Sequence, residues 1–156
     1  MERSTCRLLI ALLVATFSDA VFPGAVSAAA ASEADTSGAA EALIRWHVST
    51  QKIRAGEARF YVSVDGHDLP REAIAALKDT GIDFRPTNSF KPENPTQHVG
   101  ADWRITIGPL VRRDDGDYEV QWGYYCGSLC AARSTAIVRH ESSGWRVVSS
   151  AWQWIS

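Results

Sequence analysis

Residues 121–156 read Q-W-G-Y-Y-C-G-S-L-C-A-A-R-S-T-A-I-V-R-H-E-S-S-G-W-R-V-V-S-S-A-W-Q-W-I-S, and no other stretch limits the fold as strongly. Apolar and polar side chains alternate along it, and the alternation breaks at turn residues such as Gly127 and Gly144. A period of two is the strand period, because successive side chains leave opposite faces of a pleated backbone. Strand segments joined by short turns pair most simply as an antiparallel meander. The same stretch holds four of the six Trp and two of the three Cys. It is the expected spine of a sheet.

Upstream segments extend this pattern. Trp103, Ile105 and Ile107 alternate with Arg104 and Thr106, and Gly108-Pro109 then bends or bulges the strand before 110–113. Asp114-Asp115-Gly116-Asp117 is a hairpin turn, after which Tyr118, Val120, Trp122 and Tyr124 alternate with Glu119, Gln121 and Gly123. Residues 58–64, A-R-F-Y-V-S-V, form a further expected strand that ends at Asp65-Gly66. Residues 39–52 place Ala39, Leu43 and Trp46 near one helical face, with Gly56 as a stop. Asp68 is a candidate N-cap for a short second helix through 73–78, which stops near Gly81. Pro86, Pro92 and Pro95 mark 82–100 as a surface loop.

The expectation is an α+β fold in which an N-terminal helix and a short second helix pack on a curved antiparallel sheet of about five strands. Cystatin-like and nuclear-transport-factor-2-like folds have this order of elements. That analogy is architectural and licenses no function.

The N-terminus carries Arg3 and Arg7, an apolar run over 8–17, then Pro23 and the small triplet Val26-Ser27-Ala28. This is the order of a cleaved secretory signal peptide, and the run is too short to span a bilayer. The expected organisation is a signal peptide over 1–28, a disordered leader over 29–38 and a single α+β domain over 39–156. The expected product is secreted or periplasmic, without a membrane span. Taking Arg3 and Arg7 from 16 basic residues and Glu2 and Asp19 from 18 acidic ones leaves 14 against 16. A near-neutral balance gives no electrostatic footprint for nucleic acid.

Cys6 leaves with the signal, so Cys126 and Cys130 remain in a chain routed to a disulfide-forming compartment, where they are expected to pair. Redox-active pairs place two residues between the thiols at a helix N-terminus, whereas three intervene here inside a hairpin. Zinc would need further ligands that neither Cys has at finger spacing. The bond therefore reads as structural, with no metal and no cofactor expected.

Other candidates are weighed the same way. Asp65-Gly66-His67-Asp68 is the densest ionisable cluster, able in principle to relay a proton, but a turn followed by a helix cap explains it more cheaply. His47 sits beside Trp46 on the first helix, where folds of this architecture place acid and base groups between helix and sheet. No second titratable residue is identifiable there. His98 in the loop and His140 before a turn are explained by solvent exposure. Tyr124, Tyr125, Trp152 and Trp154 form a candidate aromatic ligand-binding set, with Trp152 and Trp154 on one strand face; core packing is the plainer reading of such rings.

Tyr124-Tyr125-Cys126-Gly127-Ser128-Leu129-Cys130, followed by Gly144-Trp145-Arg146-Val147 and a closing Trp154-Ile155-Ser156, resembles a group of small exported bacterial proteins of unknown function. Phe60-Tyr61-Val62-Ser63-Val64-Asp65-Gly66 with Asp68 is similar to that group as well, while Ala131-Ala132 stands where a Gly often follows the second Cys. The resemblance implies export and a single small domain, and no activity. The functional expectation is a non-enzymatic binding or interaction module of the cell envelope, engaging a protein or an envelope ligand. The alternative is a small isomerase- or hydrolase-type enzyme with a pocket between helix and sheet.

Overall fold

The computed structural model describes residues 31–91, 102–127 and 129–156. The expected signal peptide over 1–28 lies outside them. Among the described residues the chain is α+β, with two α-helices on an open mixed sheet.

Helix α1 (Glu33–Gln51) starts ahead of the expected 39, so most of the segment read as a disordered leader is helical. The cause is polar and local. The Ser32 hydroxyl accepts from the Asp35 N–H, and the Asp35 carboxylate accepts from the Ser32 N–H in return, a reciprocal capping box. Glu33 and Asp35 also place negative charge at the positive end of the helix dipole. Its buried stripe is Ala39, Ala40, Leu43, Ile44 and His47, at helical spacing. The helix ends at Lys52, whose φ of 55° turns the chain before Gly56 is reached.

Strand β1 (Arg59–Val64) turns at Asp65-Gly66 into β2 (His67–Asp68). Helix α2 (Arg71–Ala76) follows, continued by a 3-10 turn over Leu77–Thr80 and stopped by Gly81 at φ 66°. Asp68 does not cap this helix. Its pairing with Ser63 keeps it in the ladder, Pro70 holds the cap position without a side-chain bond, and the Asp68 carboxylate accepts from the Thr87 N–H at 2.8 Å. The expected loop opens with a strand, β3 (Asp83–Arg85), and a 3-10 turn, Thr87–Ser89. His98 lies outside the described residues.

Five strands follow: β4 (Asp102–Ile107), β5 (Val111–Arg112), β6 (Tyr118–Gly127), β7 (Cys130–Glu141) and β8 (Gly144–Ile155). Their order is β2-β1-β4-β6-β7-β8, with β3 beside β1 and β5 beside β6. The sheet is therefore eight-stranded and mixed, correcting the expected antiparallel sheet of about five. β1 runs parallel to both β3 and β4. Parallel pairing needs a crossover connection, and the segment holding α2 supplies it. Alternation along each strand carries no information about that direction.

The helices lie on one sheet face. Leu43, Ile44 and Leu77 pack with Phe60, Val62, Ile105, Val120 and Val138 in one buried cluster. Each such side chain stabilises the fold by about 1.5–3 kcal/mol relative to exposure. Gly38 is needed where α1 passes β8, because a Cβ there would meet the Trp145 indole.

Cys126 and Cys130 are joined by a disulfide, with Cα atoms 5.1 Å apart, inside the range such a bond requires. They are strand residues rather than a separate loop, since Gly127 pairs with Cys130 past a register shift. Replacing both by Ala is expected to cost about 2 kcal/mol, the entropy of so short a loop, and to leave the sheet intact. Denaturant midpoints and far-UV circular dichroism of the double variant check this; loss of the β signal would show that the bond supports more than the turn.

Candidate functional site

The two faces of the sheet differ in chemistry. On the covered face, His47 reaches from α1 into a box of rings: Tyr124 at 4.9 Å, Trp103 at 5.2 Å, Trp122 at 5.3 Å and Phe60 at 6.1 Å between centroids. It is 1% exposed, and neither ring nitrogen has a hydrogen-bond partner among the described residues. The Trp122 indole N–H and the Ser134 hydroxyl are unpartnered beside it in the ladder. Burial pushes the imidazole down to about 4, so His47 is neutral at pH 7. Tyr124 is the ionisable group stacked on it, and burial pushes that phenol up. A general base needs a reachable proton and a charged state it can enter. This ring meets an apolar wall.

The open face is different. Alternation puts Arg104 and Thr106 of β4, Gln121, Gly123 and Tyr125 of β6, and Arg133 and Thr135 of β7 on it. All of these except Thr135 line a groove of about 640 Å³ with Trp154 from β8. A second recess of about 540 Å³, lined by Thr87, Asn88 and Phe90, shares Arg104 and Tyr125 with it, so the concavity continues toward β1. Phe90 covers Tyr61 at 5.1 Å and meets Tyr125 edge-on at 6.2 Å. Gly123 keeps the floor flat, since a Cβ there would sit 2.7 Å from the Ala132 carbonyl oxygen of the neighbouring strand.

Two guanidiniums stand over this floor. Arg104 lies 6.0 Å from the Phe90 ring centre, and Arg133 Nη2 donates to Gln121 Oε1 at 2.7 Å. Both side chains are exposed, and among the described residues neither forms an ion pair with a carboxylate. Glu119 at the far end is engaged by Arg113 at 3.4 Å.

The aromatic set divides between the faces. Tyr124 belongs to the covered face and Tyr125 to the open one, as neighbours in a strand must. Trp152 and Trp154 divide too, correcting the expectation of one shared face. A bulge lets Ser134 oppose Trp152 while Arg133 opposes Trp154, leaving Gln153 as the extra residue. Trp152 accordingly meets Trp122 and Tyr124, whereas Trp154, 49% exposed, lines the groove.

Asp65, His67 and Asp68 are exposed at the β1–β2 hairpin and line neither the groove nor the box around His47, although Asp68 is bonded to Thr87 at the rim of the second recess. The Thr87 backbone N–H holds the Asp68 carboxyl below the usual range. His140 is exposed and stacks on Trp145. Among the described residues no three of His, Cys, Asp and Glu group so as to hold a metal ion. No helix of the described residues is long and apolar enough to cross a membrane.

Sequence reasoning missed Arg104, Arg133 and Gln121, the polar members of the groove. The available signal is that they form the polar half of each alternating strand. Comparisons with protein-family models, curated proteins and solved structures found no match to this chain.

Proposed function

We propose that this chain is a non-enzymatic binding module of the cell envelope, exported by residues 1–28, whose ligand lies on the open face of the sheet. The observation that carries the reading is a concave sheet face with no helix across it among the described residues, where Tyr125 and Trp154 flank a side-chain-free floor at Gly123. Exposed rings beside polar groups in a concavity are the ordinary make-up of a ligand site. The Cys126–Cys130 disulfide supports an oxidising compartment, and the resemblance to small exported proteins points the same way.

The alternative, an isomerase- or hydrolase-type enzyme, would need titratable groups converging in the space between helix and sheet. His47 is there, but its neighbours are aromatic and its ring is neutral, so the binding reading is the better supported.

Co-sedimentation of the purified chain with an envelope fraction tests the proposal. The unaltered protein is expected in the pellet, and Trp154→Ala with Tyr125→Ala is expected to remain in the supernatant while keeping its melting temperature within a few degrees. Equal pelleting of the two proteins, or no pelleting of either, would remove the groove from the account.

A further inference from the structure

Resting on the reading of the open face as a binding surface, we infer that its groove takes an acidic glycan, a chain of sugar rings whose carboxylates are held by Arg104 and Arg133. Three observations on this face lead there.

The first is charge. Arg104 and Arg133 both line the groove, and neither has a carboxylate partner among the described residues. Guanidinium is the side chain best shaped to hold a carboxylate in two parallel hydrogen bonds.

The second is spacing. Arg104 opposes Tyr125, Arg133 opposes Gly123, and β6 lies between them, so strand spacing and rise put their Cα atoms about 12 Å apart. The two heads are engaged by different neighbours, Arg104 by the Phe90 ring and Arg133 by Gln121. The pair therefore offers two anion sites along one ligand rather than a clamp on a single group. The groove and the recess beyond Tyr125 extend far enough for a chain to occupy both.

The third is the surface itself. Recognition of an extended peptide commonly uses unpaired strand edges, where main-chain hydrogen bonds supply affinity. The strands β4, β6 and β7, which carry Arg104, Gln121 and Arg133, are paired on both sides, so contacts at the two arginines come from side chains; β8, which carries Trp154, is the edge strand. Rings at Tyr125 and Trp154 with the Gln121 amide in the same groove suit a ligand made of flat rings and hydroxyls.

Isothermal titration calorimetry with four probes decides the matter: an oligogalacturonate, its methyl ester, a neutral cello-oligosaccharide and an oligoglutamate of matched length. The oligogalacturonate is expected to bind, more weakly at high salt as screening predicts, and the other three at least about tenfold less tightly. Arg104→Gln and Arg133→Gln are each expected to reduce that affinity about tenfold or more, with melting temperatures unchanged because both side chains are exposed. Equal binding of the ester or the neutral oligosaccharide would overturn the acidic ligand while leaving a binding face in place. Equal binding of oligoglutamate would overturn the glycan. No binding of any probe, or arginine variants that bind normally, would overturn this inference too, and envelope co-sedimentation would then report separately on the face.

Discussion

Lowering the pH from 7 to 4 is expected to cost the fold about 3 kcal/mol through His47 alone. A histidine in an unfolded chain titrates near 6.5, and in the folded protein burial pushes this one down to about 4. Between those values the unfolded chain takes up a proton that the folded chain excludes, so protons favour unfolding. The stabilisation is fully present above about pH 6.5 and is lost as pH falls through the folded value. The shift corresponds to about 3 kcal/mol at 1.36 kcal/mol per unit.

Carboxylates act in a lower window. Arg139 holds the Asp117 carboxyl below its usual range through two bonds of 2.7 Å, and Arg45 lowers that of Asp79 through one bond of 2.9 Å. Such groups lose their contribution as pH falls below the usual carboxylate range toward their own lowered values. A decline between about pH 6.5 and 5 therefore belongs to His47, and carboxylates join it below that. Urea denaturation at a series of pH values checks it. His47→Leu is expected to remove that decline and to lose little at pH 7, since neither ring nitrogen has a partner among the described residues. An unchanged slope in the variant would sink the assignment. Should the variant fail to fold, an NMR titration of the native imidazole would still decide, because the argument requires that it stay neutral at pH 5.5.

The other large effect is at Trp122, where substitution by Ala is expected to cost about 3–5 kcal/mol. This indole is 3% exposed and lies under α1, 5.7 Å from Trp46, 5.3 Å from His47 and 6.0 Å from Trp152. Removing it leaves a hole that rings anchored on α1 and on β8 cannot close together. Trp154→Ala, on the other face of the same sheet, should change stability by about 0.5 kcal/mol or less. Denaturant midpoints of the two variants measure the contrast. Similar losses at both positions would mean that the open face is packed rather than free.

That contrast shows how much was legible beforehand. The strands over 103–107, 118–124, 134–140 and 145–155 were readable because alternation is a property of each strand alone. The Cys126–Cys130 bond was readable from proximity in sequence. The start of α1 was not, since Ser32 and Asp35 make the capping box from polar side chains in a stretch with no large apolar residue to draw attention. His47 was singled out as facing the helix–sheet layer, but its enclosing rings come from β1, β4 and β6, which meet only in the folded chain. The groove was half visible. Tyr125 and Trp154 stood out as aromatic, while Arg104 and Arg133 looked like any exposed arginines until the register put them over the same floor.

The sequence was enough to settle most of the helix and strand segments, though not β2, β3 or the first turns of α1, and the closing of one hairpin by two cysteines. Those outcomes depend on short-range geometry, on periods of 3.6 and 2.0 and on the few residues that tolerate a reversal. Only the tertiary structure decided that β1 lies parallel to β4, and that Trp152 and Trp154 leave opposite faces of β8. Both depend on hydrogen bonds to a partner strand far away or adjacent in the sheet, and one extra residue in such a ladder moves every later side chain to the other face.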